Sequence, residues 1–237
     1  MPAPLITRER LASMIDHTFL KATGTPADVE KLCGEALEHH FKAVCVHPSE
    51  VRRCVTLLHG SGVTVATVAG FPLGQSTTAT KVAEAQDALG LGAREVDMVL
   101  NLRALVRGDL DFVGAEIRAV ADSCRAGGAL CKVIIEACYL SDAEKASACL
   151  AAKNAGAHFV KTSTGFATGV AVSGATLEDV RLMRRTVGPE MGVKAAGGIR
   201  DLVTALAMIG AGANRLGTSA GAEIMRELAE KEREKKT

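Results

Sequence analysis

Three lysines interrupt apolar runs in the second half of the chain: Lys132 in LCKVIIEA (130–137), Lys161 in HFVKT (158–162) and Lys194 in VKAAGG (193–198). A lysine enclosed by apolar neighbours, or set beside a second ammonium, is disfavoured as a cation, and its pKa falls below the usual ~10.4. A neutral amine at neutral pH attacks carbonyls and forms a Schiff base. If the runs are neighbouring strands, about 4.8 Å apart, inward lysines at similar heights nearly touch. Taken singly, Lys132 reads as one half of a structural ion pair, with Asp97 or Glu136 as the carboxylate. Lys161 with Lys194 reads as functional, because the burying context repeats on adjacent runs. Asp97, within EVDMVL (95–100), suits an acid/base that moves protons or an anchor that holds Lys161 or Lys194, and the roles can coexist.

A second group of residues suits a phosphate. Gly197-Gly198 follows one apolar run, Gly217-Thr218-Ser219 closes the next, and Thr164-Gly165 follows Lys161. Backbone N–H groups in such loops, at a helix N-terminus, face anions well. One Gly-Gly is usually only a turn, whereas two glycine-rich loops on consecutive late runs are more specific. A Schiff-base lysine beside a phosphate site implies a phosphorylated aldehyde or ketose. Other polar residues at run ends are Asp16, His17, Cys45, His47, Asn101 and Glu136. No His and carboxylate cluster has metal-ligand spacing, so no metal is expected and a metal-polarised aldol mechanism is disfavoured.

The elements that must position these residues recur along the chain. Eight short apolar runs, at 12–16, 43–46, 63–70, 95–100, 130–137, 158–162, 193–198 and 215–219, alternate with amphipathic stretches such as PADVEKLCGEALEHH. Thr25-Pro26 with Asp28, Ser141 with Glu144, and Thr176 with Asp179 mark helix starts. Gly92-Ala93, Gly156-Ala157 and Gly212-Ala213 mark helix ends just before strands. Eight strand–helix alternations over 1–237 predict one (β/α)8 TIM barrel with a charged C-terminal helix, AEIMRELAEKEREKKT. The alternative, an open doubly wound sheet, lacks its early GxGxxG. In a barrel the site lies at the carboxyl ends of the strands, where the lysines and glycines stand.

Composition excludes other classes. The net charge is +1 with no basic stripe, so nucleic acid is not an expected partner. No run approaches a membrane span of about 20 apolar residues, and MPAPLITRER has no apolar leader, so a cytoplasmic location is expected. Seven cysteines, none in CxxC, read as reduced thiols, mostly buried.

The motifs IDHTFLK (15–21), EVDMVLN (95–101), KVIIE (132–136), FVKTSTGF (159–166), VKAAGGIR (193–200) and RLGTSAG (215–221) closely resemble the deoxyribose-phosphate aldolase family of class I aldolases. They span nearly the whole chain in the family's order. The resemblance implies a (β/α)8 barrel that reversibly cleaves 2-deoxy-D-ribose 5-phosphate to D-glyceraldehyde 3-phosphate and acetaldehyde, without a cofactor. It implies Lys161 as the Schiff-base lysine, Lys194 as the lysine that lowers its pKa, and Asp97 as the acid/base. Gly165, Gly197, Gly198, Thr218 and Ser219 match phosphate-binding positions, and Asp16, Thr18 and Lys132 a supporting polar network. A homodimer is expected from the same resemblance. Two departures stand out: Phe166 follows the TSTG turn where some members have lysine, and the tail carries no tyrosine, the single one being Tyr139.

Rival readings are another Schiff-base barrel of the transaldolase or ketose-phosphate aldolase kind, a non-catalytic phosphosugar-binding barrel, and a phosphosugar isomerase. The paired lysines argue against the last two and the motif set against the first.

Overall fold

The computed structural model describes residues 6–234. Eight parallel strands close into a barrel in sequence order: β1 (Ile15–Phe19), β2 (Ala43–Val46), β3 (Thr64–Ala69), β4 (Glu95–Val99), β5 (Leu130–Ile134), β6 (Phe159–Lys161), β7 (Gly192–Ala196) and β8 (Arg215–Thr218). The helices are α1 (Arg8–Ala12), α2 (Pro26–His39), α3 (Val51–Leu57), α4 (Thr78–Gly90), α5 (Leu102–Val106), α6 (Leu110–Ala126), α7 (Asp142–Asn154), α8 (Leu177–Val187), α9 (Leu202–Gly210) and α10 (Gly221–Glu234). The expected single (β/α)8 barrel is therefore present.

The strands read as continuous apolar runs because both of their faces are covered. Outward residues such as Val96, Met98, Val133, Val160, Val193 and Leu216 join one core with the inner faces of the helices. Helix starts follow the caps legible in the chain. Thr25 with Asp28 and Ser141 with Glu144 form full capping boxes, and Thr176 accepts from the Asp179 N–H. Gly92, Gly156 and Gly212 take positive φ at the ends of α4, α7 and α9, which only glycine does cheaply.

Two expectations shift. The first strand lies at Ile15–Phe19 rather than at 12–16, because Leu11 and Ala12 are buried on the short helix α1. Thr18 is thereby a strand residue. The C-terminal helix is charged only on its outer face, since Ile224, Met225 and Leu228 are buried. Residues 235–237, the end of the expected solvated tail, lie outside the described residues.

The barrel interior is divided. Ala43, Cys45, Ala66, Val68 and Leu20 form a small apolar cluster on the β2–β3 side, with Phe71 packed against it. Buried charged side chains occupy much of the remaining interior.

Candidate active site

Strand alternation turns Asp16, Glu95, Asp97, Lys132, Lys161, Lys194 and Arg215 into the barrel, all buried. Register brings them together: Asp97 pairs with Lys132, and Lys161 with Lys194. Asp97 Oδ1 accepts from Lys132 Nζ at 2.6 Å, and its Oδ2 accepts from Lys161 at 2.9 Å and Lys194 at 2.8 Å. Lys194 also meets Asp16 Oδ2 at 2.5 Å, and Lys132 meets Glu95 Oε2 at 2.6 Å. Arg215 donates to Asp16 Oδ1 at 2.7 Å and to Glu95 Oε2 at 2.8 Å, closing the network.

Charge balance within this cluster is uneven. Asp16, Glu95 and Asp97 are three carboxylates; Lys194 and Arg215 are cations that each touch two of them, and Lys132 touches all three. Lys161 is the fourth cation and touches Asp97 alone. Burying a charge is expensive unless it is paired. Lys161 is thus the surplus cation of the cluster.

The electrostatics correct one expectation. Burial opposes the Lys132 and Lys194 charges, but their carboxylates outweigh it and raise both pKa values. Crowding alone would have lowered them. Both lysines are fixed cations, with Lys132 in the ion-paired role read from the sequence. Burial likewise works to raise the Asp97 carboxyl, yet the ammoniums of Lys132, Lys161 and Lys194 hold it well below the usual carboxylate range. Lys194, Lys132 and Arg215 bring Asp16 down to about 2 in the same way, against burial.

Above the cluster a cavity of about 230 Å³ opens to solvent, lined by Lys161, Thr18, Gly165, Gly197, Gly198, Thr218 and Ser219, among others. These residues, singled out in the sequence, now line one cavity. Thr18 donates its hydroxyl to the Asp16 carbonyl at 2.8 Å and lines the floor. Gly197 needs its positive φ and its missing side chain: its Cβ would stand 2.9 Å from the Gly174 Cα. Ala175 N donates to the Ala196 and Gly197 carbonyls at 3.1 Å, so the loop after β6 is laced to the loop after β7. Thr218 donates to the Ile199 carbonyl at 2.6 Å and accepts from Ala220 N, which fixes the turn into α10. Backbone N–H groups beside that helix N-terminus suit an anion.

Other candidates fall elsewhere. His17 points outward to Glu35 at 2.6 Å, because β1 alternation puts it under α2. Asn101 caps α5 by accepting from Ala104 N. Among the described residues Glu136 forms no ion pair with a lysine; it accepts from Thr164 instead. His47 bonds the Leu20 carbonyl at 3.0 Å. Tyr139 reaches Thr168, accepting from its N–H and donating to its carbonyl, so it pins the loop after β6 rather than entering the cavity. Phe166 does line the cavity, and its ring meets Phe71 edge-on at 5.4 Å.

Sequence reasoning passed over Glu95 and Arg215, which complete the charged cluster, and Lys21 and Arg200, exposed cations on the cavity rim. Glu95 was findable, since it stands two residues before Asp97 on the same strand face.

A model of DeoC/LacD family aldolases matches residues 10–227. A deoxyribose-phosphate aldolase of Bacteroides thetaiotaomicron is 55% identical over 217 residues, covering 92% of this chain and 90% of that protein. A protein of the same name from Thermococcus gammatolerans is 56% identical over 217 residues, covering 91% of this chain and 95% of that one. Among solved structures, the tetrameric deoxyribose phosphate aldolase from Aeropyrum pernix has a TM-score of 0.87 at 34% identity, over 94% of this chain and 92% of that one.

Proposed function

The chain belongs to the DeoC/LacD aldolase family, and from that premise we infer that it reversibly cleaves 2-deoxy-D-ribose 5-phosphate to D-glyceraldehyde 3-phosphate and acetaldehyde, through an imine on Lys161. The reading rests on one observation: Lys161 is the surplus cation of the buried cluster and stands at the floor of the cavity.

The chemistry proceeds as follows. The neutral Lys161 amine adds to the sugar aldehyde, and loss of water with uptake of one proton from the medium leaves a protonated imine. A base takes the proton of the 3-hydroxyl, the bond between carbons 2 and 3 breaks, and its electron pair moves into the iminium to give an enamine. Glyceraldehyde 3-phosphate departs. Protonation of the enamine and hydrolysis release acetaldehyde and restore the amine. No cofactor enters these steps.

Residue roles follow from position. Lys194, a fixed cation beside Lys161, favours loss of the Lys161 proton. Asp97 holds both amines. A carboxylate held so low is a weak base, so its anchoring role leads in the resting site. Imine formation removes protons from the nitrogen that engages Oδ2, and Asp97 then becomes able to accept one. Lys132, Asp16 and Thr18 keep the lysines and the floor in place. Gly165, Gly197, Gly198, Thr218 and Ser219 take the phosphate with backbone and hydroxyl donors, and the rim cations Lys21 and Arg200 supply charge that Phe166 does not.

We place the enzyme in deoxyribose phosphate catabolism and in the cytoplasm; six buried cysteines and a half-buried Cys138, all free, support a reducing compartment. A homodimer is the proposed assembly.

Acetaldehyde with borohydride tests the central step. Reduction should leave an ethyl group on Lys161, read by peptide mass. An active enzyme left unmodified there, or modified at Lys194 instead, would overturn the assignment.

A further inference from the structure

Glu136 lies two residues beyond β5 in a backbone conformation rarely seen outside glycine, with φ 48° and ψ 62°. Among the described residues His40 alone of the other non-glycines has positive φ, and it sits at the end of α2 where a left-handed residue is ordinary. Glu136 instead stands at the start of a single 3-10 turn, Ala137–Tyr139, where the flanking residue is ordinarily extended, and strain of this kind persists only where its surroundings hold it. Its side chain is 2% exposed. A buried carboxylate must find donors, and both of its oxygens find the same residue: Oε1 accepts from Thr164 N at 3.1 Å, and Oε2 accepts from the Thr164 hydroxyl. The Thr164 hydroxyl oxygen in turn accepts from Phe166 N at 3.0 Å. The carboxylate therefore stitches both ends of the 164–166 turn, whose three residues all face the cavity. β5 and β6 are zipped together just behind it, with Ala137 N donating to the Thr162 carbonyl at 2.8 Å, so the anchor point itself is rigid. Burial pushes the carboxyl up, while the Thr164 bonds and the Lys161 charge pull it down.

We propose that Glu136 is a positioning residue for phosphate recognition: by fixing Thr164 it aims the 164–166 backbone at the substrate's phosphate, without touching the aldehyde end. This rests on the aldolase reading above. The residue lies outside the charged cluster that holds Lys161, so its effect should be confined to one end of the substrate.

The test compares two sugars. Glu136→Ala should lower kcat/KM for 2-deoxyribose 5-phosphate at least about tenfold, chiefly through KM, because an unsatisfied, loosened turn presents its donors poorly. For unphosphorylated 2-deoxyribose, and for borohydride trapping of acetaldehyde on Lys161, the change should stay within about twofold. Glu136→Gln keeps one acceptor at the right place and should recover most of the loss. If Glu136→Ala does not fold, as judged by its circular dichroism and melting, Thr164→Val removes the hydroxyl partner at nearly constant volume and should show the same split between the sugars. An equal loss on both sugars, or no loss on either, overturns the proposal. Failure of trapping on Lys161 in the unsubstituted protein counts instead against the imine reading, so the two can fail separately.

Discussion

Lys161 and Lys194 are register partners on adjacent strands and donate to the same oxygen, Oδ2 of Asp97, at 2.9 and 2.8 Å. They are nevertheless unequal. Lys194 has a second carboxylate in Asp16 at 2.5 Å, and Lys161 has none. The difference sorts two chemically identical side chains into a cation with two carboxylate partners and one with a single, shared partner.

Replacing the surplus cation should separate stability from activity. Lys161→Met removes a buried charge that has one shared partner and leaves three carboxylates facing three cations. The melting temperature should hold or rise, while the aldol rate falls by about four orders of magnitude or more. Thermal melts with a coupled assay check both. A strongly destabilised Lys161→Met would show that this lysine is structural.

Lys194→Leu should behave in the opposite way. It strips Asp16 and Asp97 of a shared cation and strands buried carboxylates, so about 3 kcal/mol or more of stability should be lost. On the proposed role of Lys194, trapping of acetaldehyde at Lys161 should slow by about a hundredfold at neutral pH, because the neighbouring cation is gone. Trapping at the normal rate in a folded Lys194→Leu protein would remove Lys194 from the imine step.

Acid should unfold the protein through the cluster. The Asp16 carboxyl titrates at about 2 in the folded state, against about 3.9 in an unfolded chain. Its contribution to stability is therefore complete above about pH 4 and is lost as pH falls through about 2. Asp97, also depressed, acts in the same direction. Glu116 and Glu136, raised by burial, run the other way and gain stability on protonation. Lys194, with a raised pKa, contributes fully below about pH 10.4 and loses that contribution only as pH rises past its folded value. Melts from pH 2 to 8 should show the steep fall below about pH 4. A fall centred above about pH 5 would assign acid unfolding to other groups.

The strands were legible because a parallel barrel buries both of their faces and leaves unbroken apolar runs, as in Ala43–Val46. The exception is instructive. Leu11 and Ala12 belong to α1 but are as buried as any strand residue, so hydrophobicity alone could not separate them from β1. Lys161, Lys194 and Asp97 were legible as polar intrusions into such runs. Arg215 was not, because it opens its run and looks like a solvated boundary; it is 4% exposed because Asp16 and Glu95 meet it inside the barrel. The fixed charge of Lys194 was hidden for a related reason: it depends on which carboxylates lie within reach, and that is set by register, not by the spacing along one strand.

Phe166 gives the last prediction. Its ring lies at the cavity wall, 44% exposed, edge-on to Phe71, which packs on the apolar side of the barrel. On the proposed placement of the phosphate, Phe166 would bring no charge to it, and cationic attraction there would fall to Lys21 and Arg200 on the rim. Phe166→Lys should trade the ring contact, worth about 1 kcal/mol, for a third cation. KM for 2-deoxyribose 5-phosphate should fall by about three- to tenfold, while that for 2-deoxyribose is unchanged or rises. Raising the salt concentration should erase much of the gain, since an exposed charge is screened. Conversely, Arg200→Ala should raise KM for the phosphorylated sugar about tenfold in the natural background and less in the Phe166→Lys background, where the new cation shares its task. Full additivity of the two substitutions would mean that they act on different parts of the substrate, and the phosphate would then have to be placed away from the 164–166 turn.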